Sequence, residues 1–271
     1  MSAPKVILVT GASSGIGRAC AGLLHGQAHV VYGGNRDPGS YEAPWRKLAL
    51  DVTDDASVAG AISRVLGEHG RIDALVNNAG AVYAGAVEDT SIAEARAQFE
   101  VNFFGAMRLC KAVLPSMRVQ KSGLIVNMSS LAGLMGLPFQ GLYCASKFAL
   151  EGLTESLRME VAAFGVDVVL LEPGDIATNV VANRARVAAA GQGSVYRENF
   201  EKVVAVFEAE ERGGASPDSV AREVARLVED ASRPVRRMTG APAQRLLTGL
   251  KRVLPARFWE KRLMGRYGLG K

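Results

Sequence analysis

The 271-residue sequence predicts an α/β fold: a doubly wound parallel sheet of about seven strands with helices on both faces, all in a single domain. Two observations predict it. Short β-branched apolar runs alternate regularly with stretches of helical spacing, the pattern of a sheet whose strands are buried on both faces. The first of these runs leads into a glycine-rich turn that opens directly into a helix.

Taken in order, "KVILVT" (5–10) is the first buried strand, and "GASSGIGRACAGLLHG" (11–26) carries the turn and the first helix. Further strands are expected at "HVVY" (29–32), "KLAL" (47–50), "ALVNN" (74–78), "GLIVNM" (123–128) and "VDVVLL" (166–171). Helices fall between them at "DDASVAGAISRVLGEHG" (54–70), with an acidic start, at "SIAEARAQFEVNFFGAMRLCKAVLPSM" (91–117) and at "LYCASKFALEGLTESLRMEVAAFG" (142–165). Regularity weakens after Pro173. Residues from about 178 to 215 form a long stretch interrupted by Ala and Gly. Ligands of open α/β sheets sit outside the carboxyl ends of the strands, so an excursion after a late strand is placed to cover one. It reads either as a mobile lid or as an inert insertion. The domain is expected over 1–240, with residues 241–271 as a basic helical extension packed on it.

Composition narrows the function classes. Apolar residues make up 48% and charged residues 22%, enough for one large core. No apolar run reaches the roughly 18 residues of a membrane span, and the chain enters "KVILVTGASSG" without the charged, apolar and small-residue order of a signal peptide. A soluble cytoplasmic protein is the expectation. Cys20, Cys110 and Cys144 are far apart in helix-like segments, and His25, His29 and His69 are scattered, so neither disulfides nor a metal site is expected. The net charge of +5 is uneven: the segment from Arg245 to Lys271 carries +7 and the rest of the chain −2. One surface is basic, which gives no case for nucleic acid as a partner.

Two motifs carry chemistry by themselves. Gly11, Gly15 and Gly17 of "TGASSGIG" stand between the first strand and the first helix. Glycines there let the backbone approach a pyrophosphate, and the helix N-terminus offers it unpaired N–H groups. Tyr143 and Lys147, four residues apart at the start of a helix, lie one above the other on one face. An unperturbed phenol, with a pKa near 10, is a poor base at neutral pH; an adjacent ammonium favours the phenolate and makes a tunable acid/base.

Together with "NNAG" (77–80), Asn102 and Ser130, these motifs have the order and spacing of the short-chain dehydrogenase/reductases, which the chain resembles over roughly residues 5 to 180. "GLMGLPF" and "YCASKFALEGL" are similar to the branch that includes estradiol 17β-dehydrogenase type 1 and retinol dehydrogenases. The resemblance implies a Rossmann-type fold and a catalytic tetrad of Asn102, Ser130, Tyr143 and Lys147. Tyr143 would exchange the proton of the substrate oxygen as hydride reaches or leaves the carbon. Lys147 would also bind the nicotinamide ribose. Ser130, thirteen residues before Tyr143, would hydrogen-bond the substrate oxygen, with Ser129 as its rival. Asn102, an unusual residue for a helix interior, would bend its helix and hold a water that links Lys147 to solvent; a satisfied buried amide is a compatible reading.

The same resemblance implies the cofactor contacts: Gly11, Ser13, Ser14, Gly15, Ile16 and Gly17 at the pyrophosphate, Asp51 and Val52 at the adenine, Asn78, Ala79 and Gly80 at the adenosine ribose, and Pro173, Gly174, Ile176 and Thr178 at the nicotinamide carboxamide. Asp51 has a rival reading as a helix cap, a task for which Thr53 and Asp54 are better placed, and Asn77 one as a pin between strands. The choice of cofactor is read after the second strand. An NAD enzyme places an acid there, whereas this chain has neutral Asn35 followed by Arg36, suited to the 2′-phosphate of NADP(H). Asp37 is the competitor if the register differs by two.

The leading expectation is therefore an NADP(H)-dependent oxidoreductase that interconverts a secondary alcohol and a ketone, or a primary alcohol and an aldehyde, on a lipophilic substrate such as a steroid, retinoid or long-chain carbonyl. The competitor is a catalytically silent NADPH-binding sensor or structural subunit of the same fold, which has no need of all four tetrad residues. A homodimer or homotetramer is implied through the helices carrying "VNFFGAM" and "YCASK". The basic C-terminus reads either as a peripheral membrane contact or as a packed helix with Lys and Arg outward.

Overall fold

In a computed structural model of the protein, residues 3–178, 184–251 and 253–270 are described. β1 (Val6–Thr10) is buried at every position because its alternating side chains meet helices on both faces. Ile7 and Val9 enter a core shared with α1 (Gly15–Gly26) and α7 (Pro217–Glu229), through Cys20, Leu24, Val220 and Val224. Val6 and Leu8 enter a second core shared with α2 (Asp55–His69), α4 (Gly105–Gln120) and α5 (Gly141–Val161), through Ile62, Val65, Leu109 and Leu157.

Around β1 lie β2 (Val30–Asn35), β3 (Arg46–Ala49), β4 (Ala74–Asn77), β6 (Gly123–Met128), β7 (Val166–Pro173) and β9 (Arg236–Thr239). They form a seven-stranded sheet in the order β3-β2-β1-β4-β6-β7-β9. Every pair in it is parallel, with Leu8 registered against Tyr32 on one side and Leu75 on the other. The order reverses between β1 and β4, which opens a crevice at their carboxyl ends. A two-stranded parallel sheet of β5 (Tyr83–Ala84) and β8 (Ala185–Arg186) stands apart.

Three elements differ from the sequence-based expectation. β2 continues past Tyr32 through Gly33 and Gly34 to Asn35; a Cβ at Gly33 would lie 2.4 Å from Trp45 Nε1, so the glycine that hides the strand signal is there to admit the tryptophan. β9 lacks an apolar run because Arg236 and Arg237 form half of it. The expected helix over 91–117 is broken: α3 (Ile92–Phe99) passes through a π-helical turn, Glu100–Phe104, into α4.

Residues 179–183, within the stretch read as a lid, lie outside the described residues, as do Arg252 and Lys271 of the basic tail. The rest of that stretch contains β8 and α6 (Arg197–Arg212). The basic extension forms α8 (Pro242–Leu250) and α9 (Ala256–Arg266). Trp259 packs in a cluster with Leu131 and Met135, and Tyr267 sits 4.9 Å from Phe207, ring centre to ring centre. Among the described residues no helix is long and apolar enough to cross a membrane, and no group of three His, Cys, Asp or Glu side chains is placed to hold a metal ion.

Candidate active site

The turn after β1 is shaped by two glycines in the left-handed region, Gly11 at φ 67° and Gly15 at φ 53°. Gly17 is required by proximity: a Cβ there would lie 2.3 Å from the Gly11 carbonyl and 2.5 Å from Asn78 Nδ2. The Thr10 hydroxyl accepts from the backbone N–H groups of both Asn78 and Ala79, each at 2.9 Å, and Asn78 Nδ2 donates to the Thr10 carbonyl at 2.9 Å. The Asn78 carboxamide thus braces the turn, and Ala79 and Gly80 extend from it along the crevice. Ser14, the extended N-cap of α1, makes no side-chain cap bond, so the first N–H groups of the helix stay available. A bare-backbone cradle with uncapped donors at a helix N-terminus fits the pyrophosphate of a nicotinamide dinucleotide.

The remaining sequence-predicted residues fall into two groups. Asp51 and Val52 follow β3, on the side of the sheet where β2 ends and Arg36 follows. Asp51 Oδ1 accepts from Thr53 N at 2.9 Å and Thr53 Oγ1 at 2.7 Å. These bonds hold its carboxyl below the usual range, with the Arg36 charge contributing. The cap of α2 is Asp54, whose carboxylate accepts from Ala56 and Ser57, so Asp51 is not a helix cap. The Val52 side chain is buried against Gly105. Arg36 is exposed and has no ion-pair partner among the described residues, while Asp37 Oδ1 accepts from Gly39 N at 2.9 Å and closes its own turn. In the second group, Ile16, Pro173, Gly174, Ile176 and Thr178 line the same cavity as Ser130, Tyr143 and Lys147.

Ser130 and Ser129 diverge as adjacent residues of an extended segment must. The Ser130 hydroxyl lies beside the Tyr143 phenol and accepts from Ala132 N at 3.1 Å, whereas Ser129 is buried next to Glu151 and Gly133. Asn102 stands inside the π turn with both of its amide hydrogens engaged. Its Oδ1 accepts from Ala81 N at 2.8 Å, and its Nδ2 donates to Ala81 O at 3.0 Å and to Ser146 Oγ at 3.1 Å. The bend therefore ties the segment between β4 and β5 to the helix that carries Tyr143 and Lys147, and π turns occur frequently at functional sites.

The Lys147 ammonium sits 5.9 Å from the centre of the Tyr143 ring and donates to the Met128 carbonyl at 2.8 Å. Burial pulls its pKa down to about 8 against the opposing pull of Glu151. Burial likewise pushes the Tyr143 phenol up to about 12, against the Ser130 hydrogen bond that lowers it. In the protein alone burial outweighs that bond, and Tyr143 is held as an acid.

Sequence reasoning missed what lies behind Lys147. Arg236, from the edge strand β9, bonds Glu151, Glu155 and, at 2.6 Å, the fully buried Glu172. Burial raises the Glu151 carboxyl to about 7. Burial also works against the Arg236 charge, but the carboxylates outweigh it and hold the guanidinium above its usual value. The signal was present only as isolated charges, Glu151 in a helix and Glu172 in a buried strand.

The C-terminal helices were missed as a wall of the cavity, which measures about 920 Å³. Leu131, Met135 and Leu137 line one side, Phe207 of α6 another, and Trp259 and Tyr267 at α9 a third. Arg184 and Glu211 form a largely buried ion pair in the same wall. Burial raises the Glu211 carboxyl, and its charge reaches Tyr143.

The short chain dehydrogenase family matches residues 5–188. The chain is 41% identical over 252 residues to the 3-ketodihydrosphingosine reductase of Bacteroides thetaiotaomicron, covering 93% of this chain and 94% of that protein. It is 37% identical over 259 residues to the retinol dehydrogenase 8 of Bos taurus, covering 88% and 82%. A crystal structure of a short-chain dehydrogenase from Streptomyces avermitilis superposes with a TM-score of 0.82 at 35% identity, over 98% of this chain and 99% of that one. Other similar structures hold either NAD, from Burkholderia phymatum (26% identity, TM-score 0.79, 92% and 93% covered), or NADP, from a metagenomic oxidoreductase (30%, 0.68, 87% and 96%).

Proposed function

From the premise that this chain belongs to the short-chain dehydrogenases, we propose that it is an NADP(H)-dependent reductase of a long-chain ketone, with the reverse oxidation open to it. The observation that carries this reading is the meeting of Ser130, Tyr143 and Lys147 at one large cavity with predominantly apolar walls. Family membership supports an oxidoreductase that uses a nicotinamide cofactor. A lipophilic substrate is favoured by Leu131, Met135, Phe207 and Trp259 in the walls and by similarity to a 3-ketodihydrosphingosine reductase and a retinol dehydrogenase.

The roles follow from the groups present. Ser130 and Tyr143 offer two hydroxyls to one substrate oxygen, where they stabilise the negative charge that develops on it. When bound, the nicotinamide supplies the hydride. Tyr143, protonated across the neutral range, donates its proton to that oxygen. Lys147 holds a positive charge behind the phenol and steadies the anion that Tyr143 becomes. Asn102 keeps the helix of both residues in place through Ser146 and Ala81.

NADP(H) is favoured over NAD(H) by an exposed Arg36 one residue beyond β2 that forms no ion pair among the described residues, by neutral Asn35 before it, and by the engagement of Asp37 in its own turn. The exposed Phe104 and Phe148, on the segments carrying "VNFFGAM" and "YCASK", support assembly as a homodimer or homotetramer. The test of function is a panel of 3-keto lipids and retinal with NADPH and NADH, followed by loss of nicotinamide absorbance. Oxidation of NADPH with a long-chain ketone is the expected result. Tight NADPH binding with no turnover across the panel would favour the sensor instead.

A further inference from the structure

We propose that the outward face of α8 and α9 seats on an anionic lipid bilayer and that the cavity receives its substrate from there. Arg245 to Lys271 carries +7 against −2 for the rest of the chain. Among the described residues, five of the fourteen exposed large apolar side chains fall within 246–264, which shows that apolar exposure is concentrated there. They are Leu246 at 66%, Leu250, Val253 at 77%, Phe258 at 54% and Met264. Arg245, Arg257, Lys261 and Arg262 are interleaved with them and form no ion pair among the described residues, whereas Arg266 is held by Glu210.

The inner face accounts for this arrangement. Trp259, Leu263 and Tyr267, at four-residue intervals, pack onto the body and leave Arg257, Phe258, Lys261 and Arg262 exposed. Apolar side chains among uncompensated cations match a surface of negative headgroups over an acyl layer. A second copy of the chain fits less well, because a two-fold contact would press the same basic patch against itself. The helices lie on the membrane rather than cross it, since none among the described residues is long and apolar enough to span. Phe258, Lys261 and Arg262 are exposed and also line the cavity, so the rim of the site belongs to the docking face. Delivery of substrate through that rim rests on the reductase reading, whereas the bilayer contact does not.

Sedimentation of the full chain with vesicles of phosphatidylcholine, alone or with about a third phosphatidylglycerol, tests the contact without cofactor or ketone, so its failure is separate from failure of the reductase reading. Binding is expected only to the anionic vesicles and is reversed in about 1 M salt. Two double variants outside the cavity wall, Arg245→Glu with Arg257→Glu and Leu246→Ser with Val253→Ser, are each expected to lower the partition coefficient about tenfold or more. Both should melt like wild type and reduce a short water-soluble ketone at the wild-type rate, with slower turnover of a vesicle-borne one. No binding at low salt, or full binding by both variants, overturns the proposal. Self-association or RNA binding that the same variants abolish, without vesicle binding, would assign the face to that partner instead.

Discussion

Lys147 and Glu151 lie one turn apart on the buried face of α5, and the carboxylate supports the ammonium against the burial that pulls it down to about 8. The cation is present below that pH and lost above it, so kcat/KM for ketone reduction is expected to fall as pH rises through about 8. Glu151→Gln removes the supporting charge while Arg236 keeps Glu155 and Glu172, so the fall should begin at lower pH. Matched pH–rate profiles check this, and superimposable alkaline limbs would remove Glu151 from any part in tuning Lys147.

Glu151 also links pH to stability. Its folded-state pKa is raised by burial from 4.5 to about 7, so its contribution is whole below the lower value and is lost as pH rises through the upper one. Glu151→Gln stays neutral. Urea titrations at about pH 5 and pH 8 should therefore show wild type losing more stability than the variant on going to the higher pH. An equal change in both would contradict the linkage.

Tyr143→Phe removes one hydroxyl and almost no volume. Turnover is expected to fall about a hundredfold or more with nucleotide affinity retained. Single-turnover rates and cofactor titration separate the two quantities; more than about a tenth of wild-type rate would assign the proton to another group.

Gly17→Ala would place a methyl 2.3 Å from the Gly11 carbonyl, a backbone atom that cannot swing aside. A loss of about 1–3 kcal/mol in stability is expected, together with weakened cofactor binding as α1 moves off the turn. Thermal melts with and without nucleotide measure both effects.

Arg36→Ala should weaken NADPH and leave NADH nearly unchanged, erasing a preference expected to be at least about tenfold, or roughly 1.4 kcal/mol. Calorimetric titration of both cofactors into both proteins decides it. An NADH preference in wild type would assign the determinant to Asp37.

By itself the sequence determined the alternating strands and helices, the glycine turn, and the spacing of Ser130, Tyr143 and Lys147. Each of these is local: burial on both faces forces a continuous apolar run such as "VILVT", and four-residue spacing forces two side chains onto one helix face. Tertiary structure decided what depends on contacts distant in sequence. Arg236 is unremarkable until β9 pairs with β7 and brings it against Glu151 and Glu172, 85 and 64 residues away. Trp259 and Tyr267 become walls of the cavity only when α9 folds back over Met135 and Phe207. The phenol of Tyr143 is held as an acid by the packing around it, and desolvation, unlike periodicity, is a property of the packed molecule that no window of sequence contains.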